Sequence, residues 1–310
     1  MTATPLAPAA VLLARPAFEG ANIRAWIGFK HFMYLVEAAV LRWLEESGAG
    51  PGRLYLEHGL GAEIVDCSVQ LPATLELDDH VRAEVRPHPD GRLDVQLSIE
   101  RDGREVVVLR GKARLALVQE PGAPAAAPAP AALLPLVVTQ LDDVTRDTDL
   151  PPLGAHNGPE RSLLAAHPDA FLWSWRARYF HCHWSDRVQH SAYVRALEEV
   201  VDRFLTDRGI SVGRMLVERS WIPVVSRARV RLAAAARMEE TVFTVFTVQD
   251  VLRDTLFDAR MHCYVSRDGW LTPVATASIL HGYAMATGPA AGGMARLDEG
   301  VVTALTRRTS

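Results

Sequence analysis

The sequence predicts an α+β chain made of two copies of one unit, each a long helix followed by antiparallel strands. Three observations carry this. Two proline-free segments with apolar residues at helical spacing, 28–47 and about 189–208, each stop at a glycine, Gly48 and Gly209, the residue that best tolerates a left-handed helix end. Each segment is followed by runs rich in β-branched residues with turn signals between them. A Pro/Ala stretch, 119–135 (QEPGAPAAAPAPAALLP), separates the two sets; its prolines remove backbone donors and favour extended chain, so it reads as a linker.

In order, the helix over 28–47 (GFKHFMYLVEAAVLRWLEES) is expected to be mostly buried, since apolar residues cover most of its surface. The strand-like runs EIVDCSVQL, HVRAEVRP, RLDVQLSIE and REVVVLRGKARLALV follow, broken by the His88-Pro-Asp-Gly and Asp102-Gly103 turns. Residues 136–170 are polar and turn-rich without a sustained period, an irregular connection expected to pack on the second half. The pattern then recurs as FLWSWRARYF, the second helix, and strands around SRARVRLAAA, TVFTVFTVQDVL, TLFDARMHCYV and TPVATASILHGYA. The division expected is 1–118, a linker and connection over 119–170, 171–287, and a tail over 288–310.

Spacing tests the likeness of the halves. An offset of 161 places Glu37 on Glu198, Arg42 on Arg203, Leu44 on Leu205, Gly48 on Gly209, and Asp78-Asp79 on Glu239-Glu240. Beyond this the register drifts, because the Asp102-Gly103 and Asp268-Gly269 turns differ by 166. The chain reads as a duplicated domain with a change of loop length.

Composition narrows the function classes. The chain has 310 residues, 49% of them hydrophobic and 23% charged, which is a globular balance. A net charge of −4 and a pI near 6.3 give no electrostatic reason for nucleic acid or an anionic membrane as partner, and neither is expected. Only Lys30 and Lys112 are lysines among 33 basic residues, a bias we attribute to a GC-rich coding sequence. Cys67, Cys182 and Cys263 form no CxxC pair, so neither a disulfide framework nor a cysteine zinc site is indicated, and a cytoplasmic location is expected. No apolar run reaches the length of a spanning helix, and the N-terminus lacks a basic region before its short apolar stretch.

A long helix with four or five antiparallel strands in about 110 residues buries the helix in the concave face of the sheet. That layout resembles the hotdog fold. In the second half, Tyr193-Val-Arg-Ala-Leu-Glu198, with Arg178-Tyr179 before it and Glu239-Glu240 ahead of a strand, resembles the 4-hydroxybenzoyl-CoA thioesterase-like branch. The chain is therefore similar to tandem, or double, hotdog proteins. The resemblance implies an enzyme acting on an acyl-CoA or acyl-carrier-protein thioester held between two units, as a monomeric pseudo-dimer or a homodimer of double hotdogs. It implies no cofactor beyond the coenzyme A or phosphopantetheine of the substrate.

The loop His181-Cys-His-Trp-Ser-Asp-Arg-Val-Gln-His190 is the least structural-looking stretch, with three histidines, an aspartate and an arginine ahead of a helix start. The N-terminal amides of that helix, 189–192, would stabilise a thioester oxyanion. In the resembled branch this loop carries Asp-x-Asp-x-x-Gly; here His181 and His183 stand on the two aspartates and Asp186 on the glycine. This departure makes His183 the candidate general base, with Asp186 orienting it. Glu198, within an apolar helix face, and its repeat mate Glu37 are candidate second carboxylates, and His183 or His190 could act with Glu37 across the two units. His181, Tyr193 and Trp184 are expected to border the substrate, and Lys30 to reach a phosphate of coenzyme A. A metal held by His181, His183 and His190 or Asp186, and a nucleophilic Cys182, are weaker possibilities, and no metal is expected.

The first half has no equivalent loop, since Asn22 falls on His183, Ala25 on Asp186 and Phe29 on His190. One complete site is therefore expected, around the loop of the second half. Hydrolysis is the first reading; dehydration of a 3-hydroxyacyl thioester and acyl binding without turnover are the competitors.

Overall fold

The computed structural model describes residues 5–124, 127–145, 150–155 and 158–307. The first half comprises β1 (Ala10–Ala14), α1 (Phe29–Glu46), α2 (Pro51–His58), β2 (Leu60–Gln70), β3 (Val81–Pro87), β4 (Leu93–Arg101) and β5 (Arg104–Gln119). The connection holds β6 (Val137–Val138), α3 (Asp142–Thr145), β7 (Leu153–Gly154) and α4 (Pro159–Ala166). The second half comprises β8 (Phe171–Arg176), α5 (His190–Asp207), α6 (Val212–Arg219), β9 (Trp221–Leu232), β10 (Thr241–Leu252), β11 (Leu256–Arg267) and β12 (Trp270–Met285), followed by α7 (Glu299–Thr306).

The sheet runs β1-β3-β4-β5-β2-β9-β12-β11-β10-β8, so the two halves join edge to edge through β2 and β9. This covers the β2 and β9 edges, leaving β1 and β8 as the outer edges of the joined sheet. Ser68 pairs with Arg229, its own repeat mate 161 residues on, and Asp66 forms a two-pronged ion pair with Arg229 at 2.6 and 2.8 Å. Tyr34 and its mate Arg195 likewise meet between α1 and α5. Equivalent residues facing each other mark a pseudo-two-fold axis, and with it the double-hotdog arrangement.

Each long helix buries its apolar stripe in the sheet. Phe32, Val36, Val40, Trp43 and Leu44 of α1, and Leu197, Val201, Phe204 and Leu205 of α5, are almost fully buried. Both helices end as expected, with Gly48 and Gly209 at φ of +135° and +73°.

The structure extends the repeat beyond what periodicity shows. Strand β1 pairs with β3 as β8 pairs with β10, in the same register under the 161 offset, although Ala10–Ala14 reads in sequence as a bare apolar stretch. The bulges Ile64/Asp66 in β2 and Val225/Arg227 in β9 also coincide. The register drift lies between β3 and β4: the matching hairpin β10–β11 is longer, and its tip carries Thr255 and Leu256 over Gly282. Helices α2, α4, α6 and α7 lie in segments where sequence shows no strong period. Helix α4 sets Leu163 against Tyr264 and Leu271 of the second half.

Candidate functional site

The pseudo-symmetry creates two comparable interfaces. Each sets the N-terminus of one long helix against the middle of the other and against a strand of the opposite half.

The interface at the start of α5 holds the histidine loop, and its polar groups satisfy one another. His183 Nε2 lies 3.0 Å from Glu63 Oε2, Arg187 Nε donates to the same oxygen at 3.4 Å, and the His190 N–H donates to Glu63 Oε1 at 3.2 Å. Arg187 also pairs with Glu120. Glu63 and Glu120 carboxylates are 1% exposed and Arg187 5%. Burial opposes ionisation of Glu63, but the hydrogen bond and charge of His183, the charge of Arg187 and the His190 N–H outweigh it and hold its pKa below the ordinary range. Trp184 donates to the Ala62 carbonyl at 3.1 Å and packs on Tyr55. Gly61 makes room for this: a Cβ there would meet Trp184 Cδ1 at 2.9 Å and run into the Glu120 carboxylate.

Several expectations are corrected here. Asp186 does not orient His183; it pairs with Arg237 at 2.6 Å, and Glu63 takes the orienting position. The amides of 189–192 are largely engaged, with Gln189 donating to His181, His190 to Glu63 and Ala192 to Gln189, so the oxyanion position is held by a protein carboxylate. His190 is fully buried against the Val230 carbonyl at 3.1 Å, and burial lowers its pKa. His181 accepts from the Arg178 N–H at 2.9 Å and is pulled down to about 4 by burial and then by Arg195 and Arg178. Tyr193 is 1% exposed, its hydroxyl unpartnered, and it borders neither cavity described below. Trp184 packs on the first half and not on a cavity. The Cys182 thiol donates to backbone carbonyls, and burial and Asp186 raise its pKa, which disfavours a thiolate nucleophile. Among the described residues no three His, Cys, Asp or Glu side chains converge as a metal site would require. Glu37 lies electrostatically beside His183 and Glu63, and burial raises its pKa.

The interface at the start of α1 is open instead. A cavity of about 1130 Å³ lies between the 21–30 segment, α5, β9 and β12, walled by Trp26, Phe32, Val201, Val224, Leu256 and Ile279 among others. Its polar groups include Asn22, Lys30, Glu198, Asp202 and His281. Lys30 Nζ lies 2.8 Å from Glu198 Oε2 and 3.4 Å from Glu19, so it is committed to carboxylates and not to a phosphate. Burial works against the Lys30 ammonium, but Glu198 and then Glu19 outweigh it and raise its pKa. The other Glu198 oxygen faces the start of α1: a Cβ on Gly28 would stand 3.5 Å from Oε1 and only 2.8 Å from Asn22 Nδ2, so glycine permits this close approach.

The decisive difference lies in one pair of positions. Val224 of β9 is the repeat mate of Glu63, and it lines the cavity. The Phe29 N–H, mate of the His190 N–H that Glu63 occupies, has no acceptor among the described residues, while Gly28 and His31 donate to the Gly20 and Gly28 carbonyls as their mates Gln189 and Ala192 do at the other interface. The sequence directs attention to the polar loop and away from this interface; comparing β2 with β9 under the same offset reveals it.

A second groove, of about 680 Å³, crosses the outer face of the sheet at the β2–β9 seam, among Arg86, Arg110, Lys112, Arg227 and Arg229 with Glu84 and Asp94 between them.

No protein-family model matches the chain, and no curated protein matches it in sequence. Solved structures do match in shape. The 12:0-ACP thioesterase from Umbellularia californica aligns over 89% of this chain and 94% of its own, with a TM-score of 0.60 and 9% identity. An acyl-ACP thioesterase from Bacteroides thetaiotaomicron aligns over 88% of this chain and 97% of its own, with a TM-score of 0.52 and 9% identity. Taken with the strand order and the pseudo-two-fold axis, these alignments show that the chain has the double-hotdog fold of those proteins.

Proposed function

We propose that the protein hydrolyses an acyl thioester carried on coenzyme A or on an acyl carrier protein, at the interface where α1 begins. The observation that carries this is the free Phe29 N–H beside the Glu198 carboxylate at the polar side of a largely apolar cavity. In this reading the acyl chain occupies the cavity and the thioester carbonyl oxygen accepts from Phe29 N–H. Glu198 takes a proton from a water, and the resulting hydroxide adds to the carbonyl carbon. The helix start stabilises the tetrahedral oxyanion. Collapse then breaks the C–S bond, and the leaving thiolate recovers the proton from Glu198. Lys30 fixes the carboxylate in place.

Glu63 supports the assignment by analogy within the molecule: its carboxylate oxygen sits on the His190 N–H where, at the other interface, a substrate oxygen would sit. The double-hotdog likeness to two solved acyl-ACP thioesterases is consistent with the same chemistry.

A second reading places the chemistry at His183 with Glu37, favoured by the partial exposure of His183 and the raised pKa of Glu37. Thiol release from acyl-CoA and acyl-carrier substrates separates the two. Loss of turnover in Glu198→Gln with retention in His183→Ala supports the α1 interface; the reverse pattern moves the site. A 3-hydroxyacyl substrate that loses water with its thioester intact would replace hydrolysis with dehydration, and tight binding without either product would leave an acyl-binding protein.

A further inference from the structure

Three positions bordering or underlying the open cavity differ between the repeats in the same sense. Asp202 of α5 stands 161 residues beyond Leu41 of α1. In the sheet, Val225 pairs with His281 as its mate Ile64 pairs with Leu115, and Pro223 pairs with Tyr283 as its mate Ala62 pairs with Leu117. Where the first half carries three leucines, the second carries an aspartate, a histidine and a tyrosine.

Among the described residues, none of the three has a hydrogen-bond partner for its polar side-chain atoms. His281 is 3% exposed and lines the cavity, and its Nδ1 has no hydrogen-bond partner. Tyr283 is fully buried on the same face of β12, two residues on, and its hydroxyl is also unpartnered. Asp202 opens to the cavity, and its charge acts on Tyr283. Burial, then Glu198 and Glu199, push the Asp202 carboxyl up to about 6, while burial pulls His281 down to about 3, so a neutral imidazole offers both a donor and an acceptor. Unpartnered buried polar groups are costly, and His281, buried in the cavity wall at a repeat position that otherwise holds leucine, calls for a ligand that pairs with it, with the exposed Asp202 carboxylate at the same cavity.

We infer that the acyl group this cavity takes carries a hydrogen-bonding oxygen, a hydroxyl or keto group, read by His281 and Asp202, with Tyr283 lying behind His281. Asp202 lies four residues beyond Glu198, about 6 Å along the helix. The oxygen therefore sits several carbons out from the thioester carbonyl and not beside it. This inference rests on the placement of the thioester at Glu198 proposed above.

The test compares decanoyl-CoA with decanoyl-CoA bearing one hydroxyl or one keto oxygen, placed in turn at each odd carbon beyond the carbonyl. A site built to pair with an oxygen rejects the analogue lacking it, so at least one oxygenated substrate should exceed decanoyl-CoA in kcat/KM by about tenfold or more. His281→Leu should shrink that preference, Asp202→Leu should do so as well, and Tyr283→Phe, behind the cavity wall, should leave it nearly unchanged. Equal kcat/KM for plain and oxygenated substrates overturns the inference while leaving hydrolysis in place. If no substrate is turned over, the hydrolytic reading fails, and calorimetric binding of the same substrates decides the inference by the same preference or its absence.

Discussion

At the start of α5 the His190 N–H donates to the Glu63 carboxylate; at the start of α1 the Phe29 N–H has no acceptor among the described residues and Phe29 lines a cavity, with Val224 standing where Glu63 does. Around Glu63 the chain adds Arg187, Glu120, His183 and Trp184, and the interface is filled. Around Val224 it adds apolar walls, the Glu198 and Asp202 carboxylates and a lengthened hairpin tip, and the interface is open. The contrast teaches that a concentration of histidines and charges can mark a closed network, and that the interface with fewer polar residues can be the one with room for a substrate.

The contrast can be broken most directly by exchanging the two carboxylates' roles. Glu198→Gln should lower acyl-thioester hydrolysis by on the order of 10²–10⁴, the range for loss of a general base, with little change in Tm. Steady-state thiol release checks this, and an equal loss in His183→Ala would show that the closed interface takes part.

Glu63→Ala should affect stability instead, by about 3–5 kcal/mol, because it leaves Arg187 buried beside a single carboxylate and frees the His190 N–H. Urea unfolding of the variant, with hydrolysis measured on the fraction that remains folded, separates this from a catalytic effect. A smaller loss than that of an ordinary surface substitution would deny the network its structural role.

Acid should weaken the fold from a higher pH than carboxylates alone dictate. The folded pKa values of His181, His262 and His281, about 4, 4 and 3, lie below the ordinary histidine value of 6.5, so the unfolded chain binds more protons and stability falls as pH drops from 6.5. Glu63, also lowered when folded, adds a further loss below its unfolded value near 4.5. His281→Leu should flatten the Tm-versus-pH curve between pH 6 and 4; an unchanged slope would mean that this imidazole is not kept neutral by the fold.

The smallest effect is expected at Asp202, whose folded pKa of about 6 is raised above its unfolded value. Its burden on the fold is present above pH 6 and relieved between pH 6 and 4, the opposite sign to the histidines. Asp202→Leu should therefore raise Tm more at pH 8 than at pH 5, and a uniform shift would remove the charge-based explanation.

Much of the architecture was legible because it rests on periodicity. The α1 and α5 spans and the long strands of both halves follow from apolar spacing and turn residues, and the bounds differ from expectation by at most five residues. Strand β1 was not legible by itself, since Ala10–Ala14 is short and follows prolines; its pairing with β3, in the same register as β8 with β10, identifies it. Glu198 and Lys30 stand out in the sequence, but Lys30 is read there as a phosphate contact, because its pairing with Glu198 depends on contact across the two halves. Glu63 and Glu120 lie within or beside strands that read as ordinary sheet, and nothing local announces that they close the histidine loop. Asp202, His281 and Tyr283 acquire meaning only when set against Leu41, Leu115 and Leu117.

The two halves that meet at the seam between β2 and β9, centred on Ser68 and Arg229, are covalently joined in one chain. In a homodimer of single units every substitution appears at both interfaces, so a carboxylate that plugs one would plug the other. Tethering frees each copy to drift alone, and the midpoint of unfolding should not depend on protein concentration. Cleavage within the Pro/Ala stretch would abolish that independence, leaving two fragments that hold together by affinity and that, once apart, each present an unpaired strand edge prone to aggregation.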